Sequence, residues 1–295
     1  TATKSFMAQA QYIAASRFPC PPRPTCAMKL FVAVAAAAAL DTEQVDVTMS
    51  GMQCGGSSQQ DGVVIRPKDT TQKYPLISFA HGWRDGGKTL DNVYQKLWPF
   101  IASNGYIIIA AKAPDGLDYC LDMYKDQLQA LRWALGAAEV KDMIDTSLPK
   151  GLMGHSMGGR STVLAASQTA DLKELNVGAA VAEHPAVNVG GCPDCAPAVP
   201  IMFTAGEKDD VVPHKDVSKQ YDEASGVPKA YVEIKGADHH DCSTGPDLQG
   251  LYVLDFLNCY IKGNSTACQN AQCKEGGIPT SDCKSTGFPG VDIVV

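Results

Sequence analysis

The chain has 295 residues, 45% of them hydrophobic and 19% charged, with a formal net charge of −7. That apolar content suffices for one large α/β domain or two small ones. The negative balance, with no Lys/Arg cluster set against it, excludes a basic face for nucleic acid.

The first residue is Thr, so the sequence reads as a fragment or as a translation begun upstream of the true start. Residues 28–40, MKLFVAVAAAAAL, have the order of a secretory signal: a basic end, a short apolar run and a small-residue cleavage region. The run from Leu30 to Leu40 is too short for a membrane span, which needs roughly 20 apolar residues. Residues 1–40 are therefore expected to be an upstream segment and signal peptide, with Met28 as initiator and cleavage near Ala39. An organelle transit peptide is the rival, since Lys4, Arg17, Arg23 and Lys29 stand there without an acidic residue. A buried Ala-rich helix is the structural alternative.

Short apolar, β-branched runs follow at 45–49, 63–66, 76–80, 107–111, 152–154, 177–182, 201–204 and 231–234. Helical patterns fall at about 90–103, 121–139, 157–169, 215–225 and 246–261. Two leading strands followed by βα units predict an α/β fold, a mostly parallel sheet of about eight strands with helices on both faces. Residues 41–262 read as one domain and 263–295 as a Cys-rich C-terminal tail.

Within this alternation, LISFA (76–80) runs into His81-Gly82-Trp83, where a post-strand loop can offer a backbone N–H. Arg84 and Asp85 read as solvated loop residues. KGLMGHSMGGRSTVLAAS (150–167) then passes from strand to helix through Gly154-His155-Ser156-Met157-Gly158. Glycines at both flanks permit a sharp turn that thrusts the serine hydroxyl out at the carboxyl end of the sheet. The first N–H groups of the helix beyond point at the same spot. The N–H of Met157 and that of the 81–83 loop are thus candidates to hold the negative oxygen of a tetrahedral intermediate.

A serine needs a base, and the base an orienting carboxylate, in the chain order Ser, acid, His. PIMFTAGEKDDVVP ends a strand in Asp209 and Asp210, and AYVEIKGADHHDC ends the next in His239 and His240. All follow successive strands on the same sheet edge, although spacing alone leaves a choice within each pair. Before those strands, EHPAVN (183–188) carries His184, which reads as a plain loop histidine, with a place at the border of the cleft as the alternative. The gap 183–200 is too short and too rich in Pro and Gly for a helical lid, so an open, shallow site is expected.

Nine cysteines follow Met28, at 54, 120, 192, 195, 242, 259, 268, 273 and 283. The tail buries little, so disulfides are expected to hold it, the odd count leaving one thiol over. The four cysteines from Cys259 onward allow three pairings, and a bridge from Cys242 to Cys192 or Cys195 would tie the base and acid loops together. A zinc or redox site at CPDC (192–195) is the rival, but no second ligand pair completes it. Asn264-Ser265-Thr266 is an N-glycosylation acceptor motif.

Taken together, FAHGW, GHSMGG, GEKDDVVP and GADHH resemble the α/β-hydrolases of the cutinase, PET-hydrolase and dienelactone-hydrolase-like group, over roughly residues 60–262. The resemblance implies Ser156 as nucleophile and Met157 as an oxyanion donor. It implies Asp209 as acid, four residues before Pro213, and His239 as base, three residues after Gly236. Trp83, directly after the loop glycine, matches the family's aromatic residue beside the oxyanion hole. Two departures bear on substrate. Pro185 is followed by Ala186, where polyester-degrading members carry Trp. His81-Gly82 leans towards esterases and chlorophyllases, yet chlorophyllases carry Arg where Met157 stands.

These features predict a secreted, monomeric serine hydrolase of carboxylic esters, open to bulky or polymeric substrates, without metal or organic cofactor. The alternatives are a chlorophyllase, thioesterase or peptidase of the same fold, or a catalytically silent extracellular binding protein.

Overall fold

The computed structural model describes residues 39–54, 57–83, 93–112, 120, 122–187, 195–244, 247–272 and 280–288. The leader through Ala38, Arg84, Asp85, Cys192 and Cys273 lie outside the described residues. Among the described residues, nine strands form one sheet: β1 (Thr42–Ser50), β2 (Gln59–Pro67), β3 (Leu76–Ala80), β4 (Ile107–Ala111), β5 (Lys150–His155), β6 (Val177–Glu183), β7 (Ile201–Gly206), β8 (Lys229–Ile234) and β9 (Thr280–Thr286). Their spatial order is β1-β2-β4-β3-β5-β6-β7-β8-β9. The six from β4 to β8 are parallel, whereas β1, β2 and β9 each pair antiparallel with their inner neighbour. The sheet is therefore mixed.

Strand periodicity explains why both faces are covered. In β4, Ile107 and Ile109 point to one face and Ile108 to the other, all fully buried. The first face packs on α2 (Met123–Gly136), α3 (Met157–Ala165), α4 (Thr169–Leu175) and α5 (His214–Glu223), through Leu128, Leu131, Val163, Leu172 and Val217. The second packs on α1 (Leu97–Ser103) and on α7 (Asp247–Tyr260), which follows the short α6 (Asp241–Thr244), through Trp98, Ile101, Val253 and Phe256. No helix among the described residues is long and apolar enough to cross a membrane.

Three differences from the sequence reading have physical causes. The ninth strand lies in the Cys-rich tail, where TSDCKST has no apolar alternation; its order comes from pairing with β8, Val232 opposite Cys283. The helix expected over 157–169 stops at Ala165, and Thr169 starts α4, which ends on Asn176 in the left-handed conformation that closes helices. A further short helix, α8 (Ser265–Asn270), is capped by Asn264, whose side chain accepts from the Ala267 N–H at 3.1 Å.

Most of the described cysteines are oxidised. Cys54 bonds Cys120 and Cys259 bonds Cys268, while Cys195 and Cys283 are also in disulfides. The expected bridge from Cys242 does not form. Cys242 is a buried thiol on α6, its Sγ 3.8 Å from the His239 carbonyl oxygen.

Candidate active site

Parallel strands bring their carboxyl ends to one edge of the sheet, and the loops after β3, β5, β6, β7 and β8 meet there. The sharpest is the β5–α3 junction. Ser156 adopts φ 57° and ψ −118°, a conformation unusual for any residue but glycine. Its N–H donates to Glu183 O at 2.9 Å, and its carbonyl accepts from Ala186 N–H and Arg160 N–H. A side chain at Gly154 would strike the backbone of Gly158, and one at Gly158 would strike the carbonyls of Ala80 and His81. The glycines thus let β5, α3 and the end of β3 approach backbone to backbone.

Ser156, His239 and Asp209 come together. His239 Nε2 lies 2.9 Å from Ser156 Oγ, and its Nδ1 lies 2.8 Å from Asp209 Oδ2. A carboxylate only accepts, so Nδ1 carries the proton and Nε2 is left to accept from the serine hydroxyl. Asp209 Oδ1 accepts the N–H groups of Val211 and Val212, at 2.9 and 2.8 Å. Burial opposes ionisation of Asp209. The N–H groups of His184, His239 and Val212 outweigh it and hold the carboxyl well below the usual carboxylate range. Asp210 and His240 are exposed. Met157 is the first residue of α3 and is 9% exposed; Trp83, after β3, is 55% exposed.

The loop histidine is not at the solvent border. His184 is fully buried at φ 43°, with Nδ1 2.8 Å from the same Asp209 Oδ2 and Nε2 3.2 Å from Gln249 Oε1 on α7. Gln249 Nε2 reaches Thr204 Oγ1 at 2.7 Å and Glu183 Oε1 at 3.3 Å. Glu183 is completely enclosed, its Oε2 has no hydrogen-bond partner, and burial pushes its carboxyl up to about 8. One nitrogen from each of His184 and His239 and an Asp209 oxygen lie within 4.8 Å of one another, a set a cation could use. Here both imidazoles bond the carboxylate directly.

A second network ties the loops together. Gly82 N–H donates to Tyr94 OH at 2.9 Å, and Tyr94 OH lies 3.0 Å from His155 Nδ1. His155 Nε2 lies 2.8 Å from the carbonyl oxygen of His239. The hydroxyl can therefore donate to Nδ1 while Nε2–H donates to the His239 carbonyl, linking the loop after β3 to the loop that carries His239. Sequence reading missed Tyr94, His155, Glu183 and Gln249 as site residues. The available signal was polar residues where apolar ones would serve, at the last positions of strands β5 and β6.

A mixed sheet covered on both faces, with a serine on a strained strand–helix turn at its carboxyl edge, defines an α/β-hydrolase. More narrowly, the chain belongs to the PET hydrolase-like family, whose model matches residues 14–284. It is 26% identical over 204 residues to Cutinase est1 of Thermobifida alba, covering 68% of this chain and 64% of that protein. It is 30% identical over 175 residues to Cutinase 1 of Thermobifida cellulosilytica, covering 57% and 63%. With the bis(hydroxyethyl) terephthalate hydrolase of Streptomyces coelicolor it shares 27% identity over 169 residues, 56% and 51% of the two chains. The chain thus spans less than two thirds of the length of each of these relatives.

Proposed function

We propose that the chain is a serine-dependent carboxylic ester hydrolase working through an acyl-enzyme. Ser156 Oγ attacks the acyl carbon as its proton passes to His239 Nε2, and Asp209 stabilises the resulting imidazolium. The N–H groups of Met157 and Trp83 receive the negative oxygen of the tetrahedral intermediate. Collapse expels the alcohol, which takes the proton from His239. Water then attacks the acyl-serine with His239 again as base, releasing the acid and restoring Ser156. The observation that carries this is the unbroken Ser156–His239–Asp209 chain at 2.9 and 2.8 Å.

The substrates are esters that an uncapped site can admit, bulky or polymeric ones included. Relatives named as cutinases and as a bis(hydroxyethyl) terephthalate hydrolase support that class. Secretion fits the oxidised cysteines and the signal-like 28–40 segment, and Asn264, exposed at the cap of α8, is the site for an N-linked glycan. A fluorophosphonate probe tests the chemistry. It should label Ser156 in the native chain and lose that labelling on heat denaturation. A folded, unlabelled wild-type chain without activity on soluble esters would refute the proposal.

A further inference from the structure

The triad reading accounts for one imidazole on Asp209, yet two are present. Oδ2 lies 2.8 Å from Nδ1 of both His184 and His239, and Oδ1 accepts two backbone N–H groups. A carboxylate has about four acceptor sites, and here protein donors fill them all. His184 is held for this at both ends of its ring. Its far nitrogen lies 3.2 Å from Gln249 Oε1, which accepts from it when that nitrogen also carries a proton, and the backbone N–H of His184 donates to Thr204 O at 2.9 Å. Its backbone lies in the left-handed region at φ 43°, which a residue with a β-carbon adopts only when its surroundings require it. Two residues on, Ala186 N–H donates to the carbonyl of Ser156. The Glu183–Ala186 corner therefore bonds to both nucleophile and acid.

We infer that His184 is a positioning residue for the triad, one that shares the Asp209 oxygen used by His239. The inference rests on the hydrolase proposal above. Each N–H on Oδ2 draws off part of the negative charge that would otherwise favour the His239 imidazolium. The His184 N–H therefore weakens the pull of Asp209 on a positive charge at His239. Buried completely, His184 touches no substrate, and no water can replace its donor. The titratable groups facing it are Asp209 after β7, His239 after β8 with rings 5.8 Å apart, His155 of β5 at 6.1 Å, and Glu183 of β6 reached through Gln249 of α7.

The test is kcat/KM against pH on a soluble ester for the wild-type, H184N and H184F chains. Asn supplies an N–H in place of Nδ1 and tolerates a left-handed backbone, whereas Phe keeps ring volume without a donor. H184F should lose activity on acidification at a pH higher by about half a unit or more, with KM unchanged; H184N should follow the wild type. Coincident wild-type and H184F profiles, or equal shifts in both variants, would overturn the inference. Should H184F fail to fold, proton NMR of the wild-type chain with 15N-labelled histidine decides. Two low-field Nδ1–H resonances, from His184 and His239, support the inference, and only one contradicts it. The NMR reading needs no turnover, so it separates failure of this inference from failure of fluorophosphonate labelling, which would refute the hydrolase proposal.

Discussion

Glu183→Gln isolates the largest electrostatic liability in the core. Enclosure pushes the Glu183 carboxyl from the ordinary 4.5 to about 8, and its Oε2 has no partner. In the unfolded chain the same group ionises near its ordinary value, so between these limits the unfolded state holds fewer protons. Stability from the protonated acid is therefore complete below about pH 4 and declines as pH rises towards 8. The decline is about 1.4 kcal/mol per pH unit, or about 4 kcal/mol between pH 5 and 8. Glutamine cannot ionise and removes that slope, at the cost of a constant offset of about 1–3 kcal/mol if its amide N–H stays unpaired. Equilibrium unfolding in urea without reductant, followed by the fluorescence of buried Trp98, measures both chains from pH 5 to 8.5. The difference between them should move in favour of Glu183→Gln as pH rises. A gap that stays constant over this range would show that Glu183 is ionised in the fold and that the enclosure argument is wrong.

Ser156→Ala should abolish ester hydrolysis while the urea midpoint barely changes, since only a hydroxyl is lost; a folded variant with full activity ends the triad argument. Asp209→Ala and His239→Ala should each lower kcat by at least about 10³-fold, while Asp210→Ala and His240→Ala, exposed in the fold, should stay near wild type. The reverse ranking in either pair would shift that assignment by one residue. Tyr94→Phe should lower both stability and kcat, because it strips the shared hydroxyl from Gly82 and His155; unaltered kinetics would show the two loops to be positioned independently. Replacing the Cys54–Cys120 pair by serine should cost about 4 kcal/mol, and the Cys259–Cys268 pair about 2.5 kcal/mol, from loops spanning 66 and 9 residues. Equal losses in urea unfolding would argue against loop closure as the source of the stabilisation.

What was legible in the sequence was what local rules govern. Runs such as IIIAA and LISFA have the β-branched, doubly buried character of inner parallel strands, and the glycines around Ser156 mark a turn that only backbone contact can explain. The pairs Asp209-Asp210 and His239-His240 could be picked out because each follows a readable strand, and the family resemblance chose within each pair. What stayed hidden depends on partners distant in sequence. His184 looks like any loop histidine until Asp209 and Gln249 fold around it. Strand β9 has no pattern of its own, and Cys54–Cys120 joins segments whose proximity follows only from β2 beside β4. A Cys242 bridge was plausible from loop order, but that side chain turns inward beneath His239.

The late pairing of β9 with β8 bears on when the protein becomes competent. Until it forms, β8 is the outer strand, with a bare row of N–H and C=O groups that invites pairing with other chains. That same strand leads directly into the loop that presents His239. Partners such as Val232 and Cys283 must meet across α6, α7 and α8, a longer closure than that of the local βα units. A chain cut short before Thr280 should therefore self-associate, and ester hydrolysis should emerge together with the disappearance of that self-association.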